Sequence, residues 1–131
     1  MKNMTMLGFA VVLLLAVGFF VFAGANEPGV NENVIAGATL EGNVQKITLG
    51  LKDFNYYPST IKVKAGQPVS ISGNEQLIKK GGCLKSLVVR ELKESAYLKT
   101  TSDSLDFTPE KKGTYTITCS MGMGYARLIV E

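Results

Sequence analysis

The 131-residue chain contains no histidine and no tryptophan, and it has only two cysteines, Cys83 and Cys119. Without an imidazole the chain has no ready general base for catalysis. Its candidate acids, Asp53, Asp103 and Asp106, are not arranged as a catalytic carboxylate pair. We therefore predict that the protein is not an enzyme and has no small-molecule substrate.

Acidic residues are absent from the first 26 positions, and residues 3–26 carry no charge at all. Residues 6–23 form a nearly unbroken apolar run, and roughly 20 such residues suffice to cross a bilayer as a helix. A cleaved signal peptide is the alternative, because residues 23–25 (Ala-Gly-Ala) offer a small-x-small cleavage site. The run is long for a signal peptide, so we predict a retained transmembrane anchor over residues 1–24. No cysteine follows the run closely, which excludes a lipidated cysteine anchor.

Lys2 is the only charged side chain in residues 1–26. Residues 27–131 carry 13 basic and 11 acidic residues, so the charge of this part is nearly balanced. That balance argues against a nucleic-acid partner. Residues 25–44 are rich in Gly, Ala and Asn and show no sustained period, so they are predicted to form a flexible linker. Residues 45–131 leave room for one modest domain.

Short segments with period-two alternation follow one another along this predicted domain, as in Ile47, Leu49 and Leu51 between polar neighbours. The segments cover residues 46–52, 61–65, 69–72, 86–90, 104–108, 114–119 and 125–130. Strands of this length separated by turn residues predict an antiparallel β-sandwich or barrel. Helix is scarce, and residues 74–80 are predicted to form a short turn only.

Sulfur-bearing side chains are concentrated in one short segment. Three of the five methionines lie in the first six residues, and the other two, Met121 and Met123, follow Cys119 at alternate positions. Thiolate and thioether are soft ligands that select Cu(I) over hard cations. Cys119 is predicted to point inward at a strand end, and the 35 residues between the two cysteines allow both loops to reach the same end of a sandwich. Cys83, Cys119, Met121 and Met123 are thus the predicted metal ligands.

Two simpler interpretations exist. Two cysteines in a β-sandwich often form a structural disulfide, particularly outside the cell. Methionines often fill gaps in a core. However, the neighbours Ser120, Gly122 and Gly124 are not typical of a core strand.

Two segments, residues 54–69 (Phe-Asn-Tyr-Tyr-Pro through Val69) and residues 107–123 (Phe-Thr-Pro through Met123), resemble the cupredoxin family. Within it, the pattern Cys…Cys-x-Met-x-Met behind one N-terminal membrane helix is similar to the CupA-type Cu(I) chaperones of Gram-positive bacteria. The resemblance implies a cupredoxin-like Greek-key β-sandwich after a single transmembrane helix. It also implies a copper-homeostasis role, in which Cu(I) is sequestered and passed to the metal-binding domain of a copper-exporting P-type ATPase, conferring copper resistance.

The same resemblance implies a site for two Cu(I) ions. Cys83 and Cys119 would hold the tighter ion, and Met121 and Met123 would hold a more labile one that shares a cysteine thiolate. Blue-copper proteins use two histidines, a cysteine and a weak axial ligand. Here Cys83 stands where the first histidine would be, so a redox cycle through Cu(II) is disfavoured. Three lysines near Cys83 (Lys79, Lys80 and Lys85) are expected to lower its pKa and to present a basic collar to an acidic partner.

Two arguments about the side of the membrane on which the domain lies oppose each other. The positive-inside rule, applied to Lys2, favours a domain outside the cytoplasm. Hand-over to the ATPase and the need to keep two thiols reduced favour the cytosolic face, which we predict. The rival function is a disulfide-linked extracellular β-sandwich that serves as an interaction domain.

Overall fold

The computed structural model describes residues 35–131. The transmembrane anchor predicted for residues 1–24 and the first part of the predicted linker lie outside these residues. Across residues 35–131, no helix is both long enough and apolar enough to span a bilayer.

Eleven strands and one α-helix make up the described part of the chain. The strands are β1 (Ile35–Gly37), β2 (Thr39–Glu41), β3 (Val44–Lys52), β4 (Asn55–Tyr57), β5 (Thr60–Val63), β6 (Val69–Gly73), β7 (Ser86–Val89), β8 (Glu94–Tyr97), β9 (Ser104–Phe107), β10 (Gly113–Thr118) and β11 (Tyr125–Val130). The helix α1 covers Glu75–Lys80, and 3-10 turns cover Gly82–Lys85 and Arg90–Leu92.

The strands form two sheets, as expected for an all-β sandwich. One has the order β1-β5-β11-β10-β7-β8, and the other has the order β2-β3-β6-β9 with β4 added to β3. The sheets are mixed and not purely antiparallel as predicted, because β5 runs parallel to β1 and β11. Strand β3 likewise runs parallel to β6. Parallel neighbours require a connection that leaves the sheet and returns to it, and the period of a strand carries no information about its direction.

Period-two alternation builds the core between the sheets. In β3, Ile47 and Leu49 are buried while Lys46 and Thr48 are exposed. Ile71 and Ile117 are likewise fully buried, from one strand of each sheet. Each such side chain stabilises the fold by roughly 1.5–3 kcal/mol when it leaves water. This core holds the strand ends on which the candidate site is built.

The predicted linker over residues 25–44 is wrong in its C-terminal part. Strand β1 pairs with β5, so that Ile35 lies opposite Thr60, and β2 pairs with β3, so that Thr39 lies opposite Lys46. The domain therefore begins no later than Ile35. Strands of three residues are too short to show a period, and their pairing depends on neighbours that lie far along the chain.

A capped helix replaces the short turn predicted at residues 74–80. The side-chain oxygen of Asn74 accepts the N–H of Leu77 at 2.9 Å, which is the usual N-cap bond. Leu77 is fully buried and anchors the helix to the core. Helix α1 thereby directs the chain into the 3-10 turn that carries Cys83.

Asp103 stabilises the loop between β8 and β9, and we predict that it makes this stability pH-dependent. Its carboxylate accepts the N–H groups of Thr100 and Lys99, both at 2.8 Å. The hydrogen bond from Thr100 has the larger effect, and that from Lys99 adds to it. Together they hold the pKa of Asp103 below its usual value. The stabilisation should therefore be fully present above the carboxyl's unfolded-state pKa and lost as the pH falls through the lower folded-state pKa.

Urea unfolding of wild type and Asp103→Asn at several pH values checks this prediction. The wild type should be the more stable protein at neutral pH, and the difference should shrink in acid. A difference that stays constant down to the most acidic pH would contradict it.

Candidate metal centre

The structure brings the two cysteines together. Cys119 directly follows β10 and is 0% exposed, whereas Cys83 is half-buried in the 3-10 turn Gly82–Lys85. Their sulfur atoms lie 3.4 Å apart, although 36 positions separate the residues. Both thiols are free, since a disulfide requires a sulfur–sulfur distance of about 2.05 Å. We refer to these two residues as the thiol pair.

The backbone of residues 119–124, the methionine loop, folds tightly around the Cys119 sulfur. The N–H of Gly122 donates to the carbonyl of Cys119 at 2.9 Å, and the N–H of Met123 donates to the Cys119 sulfur at 3.2 Å. The hydroxyl of Thr118 donates to the carbonyl of Gly124 at 2.9 Å and closes the base of the loop. The loop is thus shaped around this sulfur.

Met121 and Met123 lie on the outside of the methionine loop, where they are 73% and 60% exposed. They do not fill gaps in the core, which removes the simpler explanation for them. Burying an exposed thioether against a soft metal ion or an apolar partner is favourable. Their role as ligands remains a prediction, as does that of the thiol pair.

Gly124 joins the methionine loop to the turn that carries Cys83. A Cβ atom at Gly124 would lie 2.5 Å from a methyl carbon of Leu84, the residue after Cys83. Its φ of +69° is also in the left-handed region that favours glycine. Gly122 has a similar φ of +75°, but a Cβ there meets open space. Only Gly124 is therefore required for close contact between the two loops.

Tyr56 fixes the Cys83 turn from within the core. Its hydroxyl donates to the carbonyl of Leu84 at 2.9 Å, and the side chain is buried. Burial, followed by the negative charges of the nearby Cys119 and Cys83 thiolates, raises the pKa of Tyr56. The hydroxyl therefore stays protonated and remains a donor at neutral pH.

The two thiols differ in acidity. Burial alone would raise the pKa of Cys119, but hydrogen bonds from Cys83 and from the N–H groups of the methionine loop outweigh it, so this pKa is lowered. The pKa of Cys83 is raised, first by the hydrogen bond with Cys119 and then by burial. A single thiolate on Cys119, stabilised by a hydrogen bond from the Cys83 thiol, explains why the pKa of Cys119 is lowered and that of Cys83 is raised. Cys119 is therefore the first of the two thiols to lose its proton.

The expectation that nearby lysines lower the pKa of Cys83 is wrong, since that pKa is raised and no lysine contributes to it. The amine of Lys79 instead pairs with Glu75 at 3.1 Å. The amine of Lys85 lies 5.4 Å from the centre of the Tyr97 ring. Proximity along the chain did not place these charges on the sulfur.

The donor set of this centre suits a soft monovalent ion. Among residues 35–131, no three side chains of the His, Cys, Asp and Glu types are close enough to hold a metal ion together. Two cysteine sulfurs, with two exposed methionines in the adjoining loop, are the kinds of ligand that Cu(I) prefers. Cu(I) bound between the thiols would displace their protons, so binding is coupled to deprotonation.

The sequence pattern predicts no role in the site for Tyr56 or for Asn55. The side-chain oxygen of Asn55 accepts the N–H of Tyr125 at 2.8 Å, across 70 positions. Asn55 and Tyr56 lie in residues 54–69, one of the two segments that resemble a cupredoxin. That resemblance is the only signal in the sequence for their role. Their contacts with the site depend on the packing of β4 against the Cys83 turn and against the start of β11.

We predict that Tyr56→Phe weakens both the fold and Cu(I) binding. The change leaves the carbonyl of Leu84 without its donor, at a cost of roughly 1–3 kcal/mol in the free energy of unfolding. Because the Cys83 turn loosens, Cu(I) affinity should fall roughly 10-fold. Chemical denaturation and competition with a Cu(I) chelator measure the two effects.

Tyr115→Phe is the matched control, because its hydroxyl donates to the carbonyl of Lys111 at 2.7 Å on the surface. It should leave Cu(I) affinity unchanged. Equal copper affinities in wild type and Tyr56→Phe would show that Tyr56 does not position the site.

The fold and the site can be compared with known proteins. A family model described as a cupredoxin-like domain matches residues 11–130. Among solved structures, the chain is similar to the metal-binding domain of the Streptococcus pneumoniae D39 Cu(I)-exporting P-type ATPase CopA with Cu(I). The TM-score is 0.64 at 24% identity, over 76% of this chain and 97% of that chain.

A second similar structure is the solution structure of a copper-binding protein in the apo form. Its TM-score is 0.63 at 25% identity, and the match covers 73% of this chain and 96% of that chain. A comparison with curated proteins finds no match. The two structural similarities support the fold described above.

Proposed function

The chain belongs to the cupredoxin-like domain family, and from that premise we propose that it is a membrane-tethered Cu(I) chaperone. It sequesters copper and passes it by ligand exchange to the metal-binding domain of a copper-exporting P-type ATPase, as in the CupA-type proteins. The 3.4 Å separation of the Cys83 and Cys119 sulfurs is the observation that carries this proposal. Both similar structures are of copper-binding proteins, which supports a role in copper binding.

The chemistry of the donors favours carriage of Cu(I) over electron transfer. A centre without imidazole stabilises Cu(I) and disfavours the Cu(II) half of a redox cycle. The thiol pair would hold the tighter ion, because thiolates are charged and bind strongly once deprotonated. Met121 and Met123 would hold a second ion that shares a cysteine thiolate, and neutral thioethers would release it faster. A labile ion at the surface is what stepwise hand-over requires.

The membrane anchor over residues 1–24 and the cytosolic position of the domain belong to this proposal. Two free thiols are compatible with a reducing compartment. The protein is proposed to be a carrier and not an enzyme. Thiol titration of the anaerobically purified full chain should count two reactive thiols, whereas none would favour the disulfide-linked interaction domain.

Anaerobic Cu(I) titration against a competing chelator tests the site. Wild type should bind two ions of unequal affinity, and Met121→Ile/Met123→Ile should lose only the weaker one, because isoleucine keeps the apolar character but removes the sulfur. Identical isotherms would remove the methionines from the site. Failure of wild type to bind Cu(I) would refute the proposed function.

A further inference from the structure

Phe54 combines backbone strain with complete exposure. It lies in the two-residue turn between β3 and β4, where Lys52 pairs with Asn55. Asp53 and Phe54 have φ of 51° and 59°, the left-handed conformation at both central positions of a type I′ hairpin turn, where Asn-Gly is preferred. The Phe54 side chain is 99% exposed. The isolated domain therefore bears the cost of a bulky residue in this conformation without burying its ring.

This turn lies beside the candidate metal centre. Asn55, the next residue, accepts the N–H of Tyr125 at 2.8 Å, and its side-chain oxygen lies 3.2 Å from the position of a Cβ on Gly124. Tyr125 is itself 60% exposed. Phe54 and Tyr125, together with the exposed Met121 and Met123, form what we call the apolar rim. Four large exposed apolar side chains on two segments joined by the Asn55–Tyr125 hydrogen bond are typical of an interaction surface.

The charges on the segment that carries Cys83 indicate what kind of partner fits. Residues 76–90, which carry Cys83, contain four basic residues and no acidic one, and Glu75 and Glu91 border this segment. Lys79 and Lys80 are exposed at the end of α1, although Lys79 is partly compensated by Glu75. Asp53 adjoins Phe54, with Lys52 on its other side. A second copy of this chain would bring like charges together, whereas an acidic surface would be attracted.

We propose that the apolar rim docks the acidic face of the Cu(I)-accepting metal-binding domain, with Phe54 as the anchor of the complex. This inference rests on the proposed function and adds the surface through which it operates. Packing of the Phe54 ring against the acceptor would exclude water around the methionine loop, and the basic residues would orient the partner. Cu(I) would then move by exchange of one sulfur ligand at a time, with no change in its oxidation state.

Phe54→Asn tests the proposal, because asparagine tolerates the left-handed conformation but has no apolar ring. The full-length variant, loaded with Cu(I), is mixed with the metal-binding domain of the Streptococcus pneumoniae exporter as acceptor. Transfer to this domain should be at least about tenfold slower than for wild type. Transfer to a small Cu(I) chelator and Cu(I) affinity should be unchanged, and the thermal unfolding midpoint should rise. Added salt should slow wild-type transfer to the domain.

Leu40→Asn is the matched control. Leu40 is 59% exposed on β2. It pairs with Gln45 at the start of β3, whereas Phe54 follows the other end of β3. The Leu40→Asn variant should transfer Cu(I) to the domain at the wild-type rate. Equal rates for wild type and Phe54→Asn, with normal Cu(I) binding, would overturn only the docking proposal. Phe54-dependent binding to anionic phosphatidylserine vesicles with an unchanged transfer rate would overturn it in favour of a membrane surface. Loss of Cu(I) binding in wild type would overturn the proposed function as well.

Discussion

Cys119→Ser is expected to abolish tight Cu(I) binding, with a loss of affinity of more than about 100-fold. Changes to groups that only support a ligand typically cost 10–100-fold, and this change removes a proposed ligand itself. A serine hydroxyl is a hard donor that stays protonated at neutral pH, so it cannot replace a soft thiolate. Anaerobic competition with a Cu(I) chelator of known affinity measures the loss.

The fold should survive this substitution. The serine oxygen is smaller than sulfur and can still accept the N–H of Met123, which donates to Cys119 in the structure. Ser120→Ala is a suitable control, because Ser120 is the exposed neighbour, and it should change neither stability nor Cu(I) affinity. If Cys119→Ser binds Cu(I) as tightly as wild type, Cys119 is not a ligand.

Gly124→Ala is expected to destabilise the protein by roughly 2–5 kcal/mol. The left-handed φ costs a non-glycine residue roughly 1–2 kcal/mol. The added methyl group must also displace Leu84, at a cost of roughly 1–3 kcal/mol for overpacking. Urea unfolding at neutral pH measures the difference in the free energy of unfolding.

Gly122→Ala separates these two contributions. Its φ of +75° is similar, but a Cβ there meets nothing within 4 Å, so roughly 1–2 kcal/mol is expected. Cu(I) affinity should fall further in Gly124→Ala than in Gly122→Ala, because displacement of Leu84 moves the adjacent Cys83 away from Cys119. Equal costs at both glycines would mean that contact between the two loops does not hold the site together.

The strands that sequence reasoning located are those with a buried face long enough to display a period. Strands β3, β6 and β11 alternate over at least five residues, and each overlaps a predicted segment, although β3 begins two residues earlier than predicted and β6 ends one residue later. Strands β1, β2 and β4 have three residues each, and β8 has four residues, none of them buried. The sequence pattern predicts none of these four strands, and β1 and β2 fall in the predicted linker. Their conformation is imposed by partners distant in sequence, and a local pattern cannot reveal such partners.

The candidate site was predictable only in part, for the same reason. The clustering of Met121 and Met123 beside Cys119 is a local signal, and it predicts which donor types a metal ion would meet. The hydroxyl of Tyr56 on the Cys83 turn and the contact of Gly124 with Leu84 depend on long-range packing. The predicted direction of the Cys83 pKa is also wrong, because the hydrogen bond with Cys119 raises this pKa and the lysines, which are near only in sequence, do not contribute to it.

The composition of this chain determined its chemistry by itself: a protein without histidine, with two cysteines and a paired methionine motif, has only sulfur to offer a soft metal ion. The tertiary structure alone decided that the two thiols lie 3.4 Å apart, that Cys119 is enclosed and that the methionines face outward. Residue types set which bonds a side chain is able to make. Distance, burial and acidity arise only when segments far apart in the chain pack against one another.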